Sequence, residues 1–250
     1  MMLLVINFAG FAQNTTDTAK FLKGKKPTIV FVHGLWADGS CWNTVIESLQ
    51  AEGYDVVSAQ NPTTSLEDDV AATKKALDRA QGPVILVGHS WGGFVITEAG
   101  NDPRVEALVY VAAFAPDTNE TSMDLLKMAA PNELTKYFLV NNGFITLTKE
   151  GVKYAFAADL NVRQQLALYA TQTPAAQIVF GAKNSIPAWK TKPSWYIVAK
   201  QDKAINPDLE RLLAKRINAK TIEVESSHVV MLSKPKEVLK MIHEGIEFKY

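Results

Sequence analysis

One cysteine, Cys41, serves a chain of 250 residues. That excludes an intramolecular disulfide and any zinc site built on several thiolates. Histidine is scarce as well: His33, His89, His228 and His243 are the full set. They are far apart and form no H-x-x-x-H pair, so neither a metal nor another cofactor is expected. Charge of one sign is also missing. Twenty-six Lys and Arg balance 26 Asp and Glu, for a net charge of +0, and a nucleic-acid partner would leave a clustered basic excess. Four lysines fall within residues 20–26, a run that reads as a solvated segment. No apolar run is long enough to span a bilayer.

The longest candidate opens the chain, "MMLLVINFAGFAQ". Gly10 and Ala12 before Gln13 resemble a signal-peptide cleavage site, and the polar "NTTDTAK" behind them fits a mature N-terminus. No Lys or Arg precedes the apolar run, and a short strand is the other reading. Residues 1–26 are therefore expected to be an N-terminal segment. If 1–12 are a signal, the protein is exported; otherwise it is cytoplasmic. At 47% hydrophobic residues, the remaining 27–250 suffice for a single domain with a substantial core.

What is present is a rhythm. "TIVFVHG" (28–34), "YDVVSA" (54–59), "PVILVGH" (83–89), "ALVYVAAF" (107–114), "SWYIVAK" (194–200) and "TIEVESS" (221–227) are apolar runs of strand length. Runs without polar alternation predict strands buried on both faces, as in a parallel sheet. Helical patterns separate them. One starts at Ser65, a plausible N-cap, and runs to Gly82; another has Asn206 at the N-cap and Pro207 in the first turn. Its Leu209, Leu212, Leu213 and Ile217 mark one face. "KPKEVLKMIHEGIEF" closes the chain as an amphipathic helix. The expected class is α/β, a mostly parallel sheet with helices on both faces. Residues 117–190 break the rhythm. They show no convincing strand and read as short helices near 122–129, 132–140, 149–158 and 162–172. This is the pattern of a helical lid inserted over the carboxyl ends of the strands, where ligands bind in such sheets.

Chemistry enters at "LVGHSWGGFV" (86–95). Gly88-His89-Ser90-Trp91-Gly92 fits G-x-S-x-G, with a strand before it and a helix after it. A serine on so tight a turn needs small residues on either side. Its hydroxyl is a poor nucleophile without a base, and the base needs a carboxylate to fix its tautomer. Of the histidines beyond Ser90, His243 lies within the last helix, whereas His228 begins a loop after a strand, and His228 is the expected base. Asp202, after "YIVAK" and before a capped helix, is the expected acid, with Asp117 as runner-up. The oxyanion needs two donors. The Trp91 N–H is one, and the Leu35 N–H in "HGLWADGSCW" is the other, with Trp36 as fallback. His33 is expected to be a structural hydrogen-bonder and Cys41 an inert thiol.

With these residues in view, the chain from Pro27 onward resembles the α/β-hydrolase superfamily. It is most similar to a small bacterial esterase branch related to plant methylesterases and hydroxynitrile lyases, on its "HG-W-D-S-W" loop, "GHSxGG" elbow, "LVYVAAFAP" and late "SH". The resemblance implies an α/β-hydrolase fold and a cofactor-free Ser90–Asp202–His228 enzyme acting on small-molecule esters. Serine at the elbow departs from the aspartate of haloalkane dehalogenases and soluble epoxide hydrolases. Val229 stands where hydroxynitrile lyases carry a lysine after the catalytic histidine, which argues against lyase activity. Trp91 is read as narrowing the pocket, and the aromatics Tyr137, Phe138, Phe144, Tyr154, Phe156 and Trp189 as forming either an apolar pocket or the lid's own core. The alternative function is a triad-bearing ligand receptor or signalling protein with slow turnover. A homodimer is left open.

Overall fold

A computed structural model describes residues 26–249. The expectations for the N-terminus, including a signal over residues 1–12, lie outside the described residues. The chain runs β1 (Thr28–Val32), α1 (Asn43–Ala51), β2 (Val56–Ala59), α2 (Leu66–Leu77), β3 (Val84–His89), α3 (Gly92–Ala99) and β4 (Val105–Val111). An insertion follows. It carries α4 (Ser122–Leu126), β5 (Phe138–Asn141), β6 (Phe144–Leu147), α5 (Lys149–Gly151), a single π-helical turn over Val152–Phe156, α6 (Val162–Thr171) and β7 (Ala175–Ala176). Then come β8 (Ser194–Ala199), α7 (Pro207–Arg216), β9 (Lys220–Val224), α8 (Val230–Ser233) and α9 (Pro235–Lys249). No helix among the described residues is long and apolar enough to cross a membrane.

Six parallel strands form the main sheet in the order β2-β1-β3-β4-β8-β9. Every residue of β1, β3 and β8 is buried, as the unbroken Val, Ile and Phe runs require. The two edges depart from that expectation. Strand β2 is only half-buried and β9 is mostly exposed, because an edge strand has one neighbour fewer and less cover. Helix α2 packs on α3, and α1 on α9. Ser65 caps α2 by accepting from the Asp68 amide at 3.0 Å, and Asn206 caps α7 from the Asp208 amide at 2.9 Å. Helix α2 ends at Leu77 with Asp78 as its cap, short of the expected Gly82.

The insertion is not all helix. Residues 132–140, expected to be helical, make a 3-10 turn over Leu134–Tyr137 and then enter β5. With β6 and β7 this strand forms a three-stranded antiparallel sheet in the order β5-β6-β7. Asn142 and Gly143 have φ of 47° and 80°, the left-handed pair that closes a two-residue hairpin. The signal was present as Asn-Gly between "YFLV" and "FITL".

The strand order places the crevice. The chain goes from β1 outward to β2, then returns to the other side of β1 for β3. Loops leaving the carboxyl ends of β1 and β3 therefore part in opposite directions, the switch point where parallel sheets bind ligands. Three residues just beyond adjacent strand ends hold left-handed backbone without being glycine: Trp36 (φ 57°), Ser90 (φ 55°) and Ala112 (φ 43°). Strain of this kind gathers where a site is being shaped.

Candidate active site

Ser90 follows β3 without a spacer, and close packing holds its turn in place. A Cβ on Gly92 would stand 2.4 Å from the Val32 carbonyl oxygen, and one on Gly88 would stand 2.6 Å from the Gly92 oxygen. Helix α3 thus seats directly against β1 and β3. A Cβ on Gly34 would lie 2.7 Å from the Ser90 Cβ, so the loop after β1 passes against the serine. Ser90 itself is mostly buried.

Asp202 lies three residues beyond β8. Its Oδ1 accepts from the amides of Ala204 (2.6 Å) and Ile205 (2.9 Å), and its Oδ2 meets His228 Nδ1 at 2.5 Å. One carboxylate oxygen fixes the turn and the other is left for the imidazole. His228 is buried, and its Nε2 has no protein partner among the described residues. Ser90 and His228 line the same cavity, of about 320 Å³. No Asp, Glu, Lys or Arg lines that cavity.

The loop bearing His228 is held from three sides. Asp159 of the insertion accepts from the Ser227 amide at 3.0 Å and from the Ser227 hydroxyl. Phe156 packs on the His228 ring at 5.2 Å between centroids. His89 Nε2 lies 3.0 Å from the His228 carbonyl oxygen and must carry the proton it donates there. Burial, and then the neighbouring His228, push the His89 imidazole well below its usual range, so it stays neutral.

The other candidates fall elsewhere. Asp117 is half-exposed and pairs with Lys190 at 2.5 Å, away from His228. His243 pairs with Glu52 at 2.6 Å on α9. His33 accepts from the Asn61 amide through Nε2 and donates from Nδ1 to Gly34, both at 2.9 Å, as a structural histidine does. The Cys41 thiol is buried, which raises its pKa well above the usual range and keeps it inert. Among the described residues no group of three or more His, Cys, Asp or Glu is placed to hold a metal.

Leu35, Trp36 and Trp91 all line the cavity. Trp36 reaches into the insertion, donating from Nε1 to the Ile145 carbonyl at 2.9 Å. Of the aromatics singled out in the insertion, Phe138 lines the cavity, while Phe144 and Tyr154 are partly exposed to solvent. Trp189 donates to the Pro116 carbonyl at 2.8 Å. Phe180, Leu134, Asn132 and Gln177 are among the other wall residues, and no sequence signal marked them. Three acids near the site were also missed: Asp69, Asp159 and Glu210. Each sits in an ordinary helix or loop context, and its partner is distant in the chain.

A family model described as the alpha/beta hydrolase family matches residues 29–241. A carbendazim hydrolyzing esterase from Nocardioides sp. (strain SG-4G) is 32% identical over 126 residues, covering 44% of this chain and 51% of that protein. Methylesterase 7 of Arabidopsis thaliana is 25% identical, covering 89% of this chain and 97% of its own length. Among solved structures, a pyrethroid hydrolase from Sphingobium faniae JZ-2 superposes with a TM-score of 0.75 at 20% identity, covering 90% of this chain and 99% of that one.

Proposed function

Because the chain belongs to the alpha/beta hydrolase family, we propose that it is a serine hydrolase cleaving a carboxylic ester of a small molecule through an acyl-enzyme. Ser90, His228 and Asp202 are its triad. One arrangement carries the reading: a buried imidazole bound to Asp202 through Nδ1, its Nε2 unpartnered, beside the cavity that Ser90 lines. The esterase and methylesterase names of the relatives support the ester class.

In this mechanism Ser90 Oγ attacks the ester carbonyl while His228 Nε2 takes its proton. Asp202 holds the tautomer with the proton on Nδ1 and stabilises the imidazolium that forms. The N–H groups of Leu35 and Trp91 receive the oxyanion. His228 then gives its proton to the departing alcohol. Water, deprotonated in turn by His228, releases the acid from Ser90. The insertion acts as a lid, lending Leu134, Phe138, Ile145 and Phe180 to the cavity wall. A volume near 320 Å³ is at the small end of ligand pockets. The absence of charge in the wall favours a neutral, apolar substrate.

Hydrolysis of p-nitrophenyl esters of increasing acyl length tests the proposal. Sustained turnover with an optimum at short acyl chains is expected, falling on the order of 10⁶-fold in Ser90→Ala. A folded wild type with no turnover on any ester contradicts it and moves weight to the receptor reading.

A further inference from the structure

Trp91 follows the nucleophile, and its indole is not free. Nε1 donates to Asp69 Oδ2 at 2.7 Å, while the ring stacks on Phe94 at 4.9 Å between centroids. The other oxygen of Asp69 accepts from the Thr63 amide at 2.8 Å. Thr63 is a β-branched residue at φ 56°, a conformation that persists only where its surroundings enforce it. Thr63 also reaches the insertion. Its carbonyl accepts from the Ala176 amide of β7 at 2.9 Å, and its hydroxyl lies between the carbonyls of Pro62 (2.7 Å) and Pro174 (2.9 Å). A buried line of hydrogen bonds therefore runs from the elbow through Asp69 and Thr63 into the insertion's sheet.

We propose that Asp69 is a positioning residue for the elbow: one carboxylate holds the Trp91 indole and the strained Thr63 backbone together, so the wall beside the nucleophile is set by the insertion. The proposal rests on the serine-hydrolase reading of Ser90.

The chemistry of the pair of bonds explains why the residue is an acid. Both partners are N–H donors, and only an ionised carboxylate accepts from both without presenting a proton of its own. An amide or a protonated acid turns a donor toward one of them and loses that bond. Asp69 has no exposed surface, and no cation pairs with it among the described residues. Burial raises its carboxyl to about 6, against the two hydrogen bonds that hold it down. Asp68, beside it on α2, is the ionisable group whose charge bears on it and adds to the rise. The elbow and the loop before α2 face it with the Trp91 indole and the Thr63 amide. The two-sided tie is thus held well above pH 6 and loses one of its bonds as pH falls through about 6.

The test uses two readouts on the full chain. The first is the indole signal of Trp91, taken as wild-type minus Trp91→Phe tryptophan fluorescence between pH 5 and 8, with circular dichroism confirming the fold. A transition near pH 6 is expected in the wild type and is expected to vanish in Asp69→Asn. A folded wild type with no such transition, or one that persists in Asp69→Asn, overturns the proposal. If Asp69→Asn does not fold, Asp69→Glu replaces it: it keeps the ionised acceptor and is expected to keep a transition, shifted in pH. Loss of the transition there contradicts the proposal. The second readout is the wild-type to Asp69→Asn ratio of kcat on a p-nitrophenyl ester. It should be about tenfold at pH 8, one charge-assisted hydrogen bond's worth, and approach one at pH 5. A ratio independent of pH overturns the positioning role. Absence of ester turnover defeats the hydrolase reading but leaves the fluorescence result standing.

Discussion

Glu210 sits behind the Asp202–His228 pair. It is fully buried on α7, with Oε2 accepting from the Ala199 amide at 2.9 Å. Its neighbour Arg211 is turned outward to Glu223 and Asp208. Burial, then the charge of Asp202, push the Glu210 carboxyl well above its usual range, which favours its protonated form. A folded-state pKa above the unfolded one favours the fold at low pH. Its contribution is complete below about pH 4 and is lost as pH rises, at about 1.4 kcal/mol per unit until the folded pKa is passed. Glu210→Gln keeps a donor and cannot ionise. Thermal melts should show it stabilising the fold more at pH 8 than at pH 5; an equal loss at both contradicts a neutral Glu210. Asp202→Asn separates orientation from charge. Ala204 and Ile205 claim one oxygen, so the new amide nitrogen must face His228 and force the wrong tautomer. Steady-state kinetics should show kcat lower by about 10³–10⁴ with KM little changed. The Asp202–His228 pair and the Ser90 elbow of the candidate site were legible in the sequence because motif and chain order mark them. Asp69 and Glu210 were not: in "SLEDDV" and "NPDLER" an acid reads as complementing a helix N-terminus, and nothing local reveals a partner such as Trp91.

At the scale of elements, the elbow is a packing problem solved by glycine. A Cβ on Gly93 would come within 2.1 Å of the Phe114 carbonyl oxygen and 2.8 Å of the Ala113 Cβ. Gly93→Ala must push α3 off the segment after β4, costing about 1–3 kcal/mol or more. Denaturant melts should show that loss, together with reduced turnover, since Ser90 moves with the helix. A variant as stable and active as wild type contradicts the packing account. The central strands, the caps at Ser65 and Asn206 and the elbow were readable because burial and capping write themselves locally. The insertion's sheet was not, for a physical reason. Strand β5 is half-buried at Phe138 and exposed beyond it, and β7 has two residues, so neither leaves a hydrophobic period long enough to separate strand from helix. The Asn142-Gly143 turn was the usable clue.

For the whole molecule, the sheet order opens a crevice between β1 and β3, and the insertion contributes Leu134, Phe138, Ile145 and Phe180 to the wall of the cavity there. The cavity wall holds no charged group to meet a charged substrate. An ester carrying a carboxylate on its acyl chain must shed its hydration without compensation, at a cost of several kcal/mol. Competition assays should show its kcat/KM at least about a hundredfold below that of the neutral isostere; parity contradicts an apolar, uncharged substrate cavity. The central claim is that His228 and Asp202 make Ser90 a nucleophile. Intact-protein mass spectrometry after exposure to a small neutral fluorophosphonate tests it most directly. One adduct per chain is expected, located on Ser90 by peptide mapping, absent in Ser90→Ala and formed far more slowly in His228→Gln. An adduct that survives Ser90→Ala, or a folded wild type that takes none, contradicts the account.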